Sequence, residues 1–78
     1  MPTRITEHAR KRMDRYGITE EAVLRAVEEP DSVVASHGGR TIAQKAEGDY
    51  VLRVVLEPNE GISMVVTVYR ARRARYEI

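Results

Sequence analysis

Pro30 divides this chain into halves that obey different periods, and that switch limits the fold more than any other feature. Before it, apolar side chains recur at three- and four-residue spacing; after it they alternate. Thr6 is placed to cap a first helix, Ala9, Met13 and Tyr16 recur along one side of it, and Gly17 supplies the left-handed residue that ends it. The spacing predicts a helix over about 6–16. Thr19 caps a second helix over about 20–29, in which Glu20 and Glu21 meet the positive end of the helix dipole. Its apolar face, Ala22, Val23, Ala26 and Val27, stops before Pro30, because a proline restricts the residue ahead of it.

Past Pro30 the stretches "DSVVAS" and "RTIAQKA" read as strands joined by the turn His37–Gly39, and the Glu47–Asp49 turn leads into two stronger ones. In "YVLRVVLE", Tyr50, Leu52, Val54 and Leu56 share one face while Val51, Arg53, Val55 and Glu57 share the other. In "ISMVVTVY", after the turn "PNEG", Ser63, Val65, Thr67 and Tyr69 fall on one face. Four successive strands with short connections predict an antiparallel meander, and only the two helices are available to cover its apolar face. The expected fold is α+β, order ααββββ: two N-terminal helices packed on a four-stranded antiparallel sheet, as a single domain over 1–78.

A chain of 78 residues has one modest core, since domains this small bury only about 60% of the surface they expose when unfolded. It has no cysteine, which removes disulfides, thiolate metal ligands and a thiol nucleophile, and fits a reducing compartment. No apolar run approaches the roughly 18 residues of a membrane span, and the N-terminus lacks the charged-then-apolar order of a secretion signal. A cytoplasmic chain without a membrane partner is expected.

Net charge is only +1, but the charges are segregated. Residues 4–15 carry five positive and two negative side chains, 19–31 carry five acids against one arginine, and 70–78 carry four arginines against Glu77. Eleven of the 13 basic residues are arginine, whose planar fork fits phosphate and carboxylate as an ammonium does not. Arg53 lies inside the most apolar strand, either on an open solvated face or as a charge held for an anionic ligand; Tyr69 is expected on the same face, with Arg70 at the strand end and Arg72, Arg73 and Arg75 behind it. On the first helix Arg4, His8, Arg12 and Arg15 form one stripe, either a solvated face or a basic surface holding one imidazole able to exchange protons near neutrality. His37, beside two glycines, reads as a surface residue.

The histidines lack ligand spacing, the acids do not converge, and "HGGR" lacks the glycines and lysine of a phosphate loop, so neither a metal nor a cofactor is expected. Arginines with a histidine or tyrosine suffice for RNA cleavage without metal, because the 2′-hydroxyl of the substrate is the nucleophile.

The stretch "EHARKRMDRYGITEEAVLRAVEEPDSV" resembles the opening of a widespread bacterial domain of unknown function in which a His-Ala pair, an Arg-Met pair, a Gly-Ile step and a terminal Pro mark two helices. "DRYGITEEAVLRAVEEP", "GDYVLRVVLE" and "MVVTVYRARRARYE" are similar to stretches of the BrnT toxins, which in turn resemble RelE-type ribonuclease toxins. Where BrnT-like chains carry an Asn and a His, this one has Arg12 and Tyr16, and it has fewer residues ahead of its closing Tyr-Glu. The resemblance implies a RelE-like fold, RNA as substrate, metal-independent endoribonuclease activity and a small antitoxin protein as partner. It carries the family's strand-end arginine to Arg70 and the closing pair to Tyr76 and Glu77.

The expected catalytic set is therefore His8, Arg53, Arg70 and Tyr69, with Arg12, Arg72, Arg73 and Arg75 as RNA contacts. A non-catalytic module that binds an acidic protein partner is the rival reading. A DNA-binding regulator ranks below both, because the second helix is too acidic for a major groove.

Overall fold

The computed structural model describes residues 2–76. The elements are β1 (Thr3–Ile5), α1 (Glu7–Tyr16), α2 (Glu20–Glu28), β2 (Ser32–Ala35), β3 (Thr41–Glu47), β4 (Tyr50–Asn59) and β5 (Ile62–Arg72), with a 3-10 turn at Arg73–Arg75. Both helices begin and end on local chemistry. The Ala9 N–H donates to Thr6 Oγ1 and the Ala22 N–H to Thr19 Oγ1, while Gly17 at φ 66° sends its own N–H back to the Met13 carbonyl.

The expected four-stranded antiparallel sheet is incorrect: the sheet has five strands in the order β1-β5-β4-β3-β2, and β1 runs parallel to β5. Strands β2 to β5 do form the antiparallel meander, so the class remains α+β. The added strand is three residues long, too short to display an alternation, and is held by partners distant in sequence. The Ser63 N–H donates to the Pro2 carbonyl at 2.9 Å and the Thr6 N–H to the Val65 carbonyl at 3.1 Å. Thr6 thus has two roles, because its hydroxyl also donates to the Val65 carbonyl at 2.9 Å while capping α1.

Both helices cover one face of the sheet, α1 over β5 and α2 over β4 and β3. Between them lie Ala9, Met13, Ile18, Val23 and Ala26 from the helical half and Ala43, Leu52, Val54, Val65 and Val68 from the strands. Full burial of each Val or Leu contributes roughly 1.5–3 kcal/mol, and in so small a domain few such side chains can be lost.

One irregularity decides which residues share a face. The β4–β5 register steps from Val55↔Thr67 to Leu56↔Val65, leaving Val66 as an extra residue in β5. Simple alternation put Val65 on the face of Thr67 and Tyr69. The bulge turns Val65 to the helices beside Val68 and leaves Thr67 and Tyr69 on the far face. Neither α1 nor α2 covers that far face, yet Ile42, Gln44, Val51, Arg53 and Val55 are all buried there.

Candidate functional site

Across the far face runs a polar row. Ser32, Gln44, Arg53 and Tyr69 are successive cross-strand neighbours on β2, β3, β4 and β5, so the register alone lines them up. Their side chains bond in the same order. Gln44 Nε2 donates to Ser32 Oγ at 3.4 Å, Arg53 Nε donates to Gln44 Oε1 at 2.9 Å, and Arg53 Nη1 donates to the Tyr69 hydroxyl. Tyr76, just past the 3-10 turn, stacks on the guanidinium with 4.0 Å from Cζ to the ring centroid. Arg53 is only 8% exposed, and among the described residues no carboxylate comes within ion-pair distance of it. A buried guanidinium ordinarily has such a partner, since an uncompensated charge costs several kcal/mol to bury. Here the compensation is one amide oxygen, one phenol and two aromatic faces, with N–H groups to spare out of the five an arginine carries.

Arg70 sits one register row away, opposite Leu52, and therefore on the helix side of the sheet. Its Nε donates to Glu47 Oε1 at 3.1 Å and its Nη1 to the Tyr16 carbonyl at 3.0 Å, which ties the end of α1 to the end of β5. Arg53 and Arg70 are thus neighbours in register but on opposite faces. On the side of Arg70 stands Tyr50, with the Arg72 guanidinium 5.5 Å from its ring. Tyr16 carries two guanidiniums, Arg12 at 5.4 Å and Arg15 at 5.8 Å. Arg73 and Arg75 lie exposed in the 3-10 turn, whose first N–H donates to the Asp49 carbonyl at 2.9 Å.

His8 is exposed on α1. Helical geometry puts it on the flank of Arg12, one turn away, while Arg10, bonded to Glu20 at 2.8 Å, marks the opposite flank facing α2. His8 and Tyr69 consequently lie on opposite sides of the sheet and do not form one acid–base pair. Glu77, the other half of the closing pair, lies outside the described residues.

These positions have a common pattern. The chain contains four tyrosines, and a guanidinium lies against each: Arg12 and Arg15 on Tyr16, Arg72 on Tyr50, Arg53 on Tyr69 and Tyr76. Among the described residues none of those four arginines has an ion-pair partner, whereas Arg10, Arg40 and Arg70 are paired with Glu20, Glu57 and Glu47. The stacks lie at the end of the sheet where β4 begins and β5 finishes, but on both faces: Arg53 with Tyr69 and Tyr76 on the far one, Arg72 with Tyr50 on the helix-bearing one, where Tyr16 is tied in through Arg70. α2, with its acids, lies over β3 and β4 on the same face as Arg70 and Tyr50. A hollow between α2 and β3 is lined by Glu21, Arg25, Lys45 and Glu47, charges of both signs that favour no single ligand charge.

Sequence reasoning singled out Arg53, Tyr69, Arg12 and Arg72 but not Gln44, Tyr16 or Tyr50. The Arg12–Tyr16 contact has a sequence signal, the i,i+4 spacing on a helix. Gln44 and Tyr50 have none without the strand register. Among the described residues no group of three histidine, aspartate or glutamate side chains is placed to hold a metal ion, and no helix is long and apolar enough to cross a membrane.

Residues 5–70 match the family model described as a domain of unknown function, DUF4258, and the chain belongs to that family. No match was found among curated proteins or solved structures.

Proposed function

We propose that this member of the DUF4258 family is an RNA-binding domain that uses the arginine–tyrosine end of its sheet to hold the phosphate backbone. The observation that carries the reading is the set of four arginines, 12, 15, 53 and 72, each stacked on tyrosine and none neutralised by a carboxylate among the described residues. On a solvated surface each such stack contributes only about 0.5–1 kcal/mol. Guanidinium planes held on aromatic rings keep their N–H edges free for phosphate oxygens, and cations interleaved with aromatics are how sequence-tolerant nucleic-acid sites are built.

A catalytic form of the same reading rests on one bond. The Tyr69 hydroxyl accepts from Arg53, so its own proton remains available for donation. In metal-free RNA cleavage the 2′-hydroxyl gives its proton to a base, here solvent water or hydroxide, its oxygen bonds to the adjacent phosphorus, the bond from phosphorus to the 5′-oxygen breaks, and that oxygen takes up a proton. Arg53 would stabilise the phosphorane and Tyr69 protonate the leaving oxygen, giving a 2′,3′-cyclic phosphate and a 5′-hydroxyl. This is the activity of the BrnT- and RelE-like toxins that the sequence resembles, and a small antitoxin protein would then be the natural partner.

The test is fluorescence anisotropy of a labelled RNA over a range of salt, with product analysis in the presence of EDTA. Binding that weakens linearly in log–log salt plots, with the slope reduced by about one on Arg72→Gln, supports the reading. Cleavage that survives EDTA but not Tyr69→Phe supports the catalytic form. Absence of RNA binding, with an acidic protein copurifying instead, would leave the protein-interaction module in its place.

A further inference from the structure

Two of the four tyrosines differ from the others in exposure. Tyr16 is 45% exposed and Tyr50 44%, and they stand on the same, helix-bearing side of the sheet. Each ring has cationic backing: Arg12 and Arg15 lie against Tyr16, and Arg72 against Tyr50. Arg70 connects them: it bonds at once to the carbonyl of Tyr16 and to Glu47, the cross-strand partner of Tyr50. Arg70 thus ties the backbone of Tyr16 to the strand neighbour of Tyr50. Arg12 adds a second sign that it is held by its ring: its Nε is fully buried and has no hydrogen-bond partner, so packing against Tyr16 rather than an acceptor fixes its plane.

From this we infer that Tyr16 and Tyr50 form a two-base stacking platform, and that the ligand of this end of the sheet is single-stranded nucleic acid with the phosphate between two unpaired bases facing Arg70. The inference rests on the RNA-binding reading and narrows it. Every base has a π-face, so stacking tolerates any sequence, but a duplex hides those faces inside its own stack and offers only edges and phosphates. An exposed half of a tyrosine ring beside a guanidinium recognises the first and gains little from the second. Arg70 keeps its bonds to Glu47 and Tyr16 and offers its remaining N–H groups to the phosphate, while Arg12, Arg15 and Arg72, which have no carboxylate partner among the described residues, supply the positive charge.

The experiment titrates the whole chain with a labelled single-stranded RNA of ten adenines, the matching single-stranded DNA, a duplex of the same length and inorganic polyphosphate. The chain has no tryptophan, so its emission comes from its four tyrosines, and the part of the quenching that Tyr16→Phe with Tyr50→Phe removes reports stacking on the platform. The single strands are expected to quench that emission and to bind about 10-fold more tightly than the duplex, with polyphosphate binding without quenching. Tyr16→Leu with Tyr50→Leu is expected to remove the preference, losing about 10-fold or more in single-strand affinity with the salt slope and duplex affinity unchanged, and Tyr16→Phe with Tyr50→Phe to restore it. Equal binding of strand and duplex, with the leucine variant unaffected, would overturn the platform and leave charge-driven RNA binding standing. Failure of every nucleic acid to bind would overturn both.

Discussion

Replacing Arg53 by methionine is expected to cost the fold about 2 kcal/mol, and replacing Gln44 by leucine in the same chain to return most of that loss. Methionine occupies a similar volume and removes a charge that is 8% exposed and has no carboxylate partner among the described residues, which relieves a desolvation penalty of several kcal/mol. Against that, the charged hydrogen bond to Tyr69 and the stack with Tyr76 disappear, each worth roughly 1–2 kcal/mol. These contributions nearly cancel. The remaining cost comes from Gln44, which is 2% exposed and loses the donor to its Oε1, and an orphaned buried acceptor costs about 1–3 kcal/mol. Leucine at 44 removes that acceptor and leaves Ser32, only partly buried, to water. Urea denaturation followed by circular dichroism measures both variants. In thermal melts the single variant is expected to fall by about 10 °C and the double variant to lie within a few degrees of the parent. A double variant as unstable as Arg53→Met alone would mean that the guanidinium itself holds the sheet together, and Arg53 would then need no ligand to account for its presence.

Gly17→Ala is expected to lose about 1 kcal/mol in the same urea assay through backbone strain alone, because φ is 66° there and open space surrounds an added Cβ. Thr6→Val removes both the cap on α1 and the bond to the Val65 carbonyl, for a loss of about 2 kcal/mol, with Thr6→Ser retaining most of the stability. Glu60 and Gly61 both have positive φ at the tip of the β4–β5 hairpin, so Glu60→Gly is expected to raise the melting temperature by a few degrees.

How much of this is legible in the sequence depends on whether the signal is local. Thr6, Gly17 and Thr19 mark the helix boundaries by bonds to residues three or four positions away, and those boundaries stand to within a residue. Strand β1 escaped because its three residues have no periodicity and its stabilising partners lie near 63–65. The Val66 bulge escaped for a related reason: an inserted residue leaves no trace in composition, yet it reverses the faces on either side. Alternation within β4 did place Arg53 opposite the core, and the register brought Tyr69 to it. Arg70 was expected to join them, but adjacent residues of a strand point to opposite faces, and the strand runs on to Arg72 instead of ending at Tyr69. Gln44 and Tyr50 entered the site only through register, which no single strand encodes.

The central claim is that the arginine–tyrosine end of the sheet is where this protein meets nucleic acid. Amide chemical-shift mapping of the isotope-labelled chain, titrated with a short single-stranded RNA, tests it most directly. The predicted result is a contiguous set of perturbed amides at the end of α1 around Tyr16, in β4 from Tyr50 to Arg53 and in β5 from Tyr69 to Arg72, with α2 unchanged. Shifts concentrated on α2 and β2, or a spectrum unmoved at millimolar RNA, would contradict it.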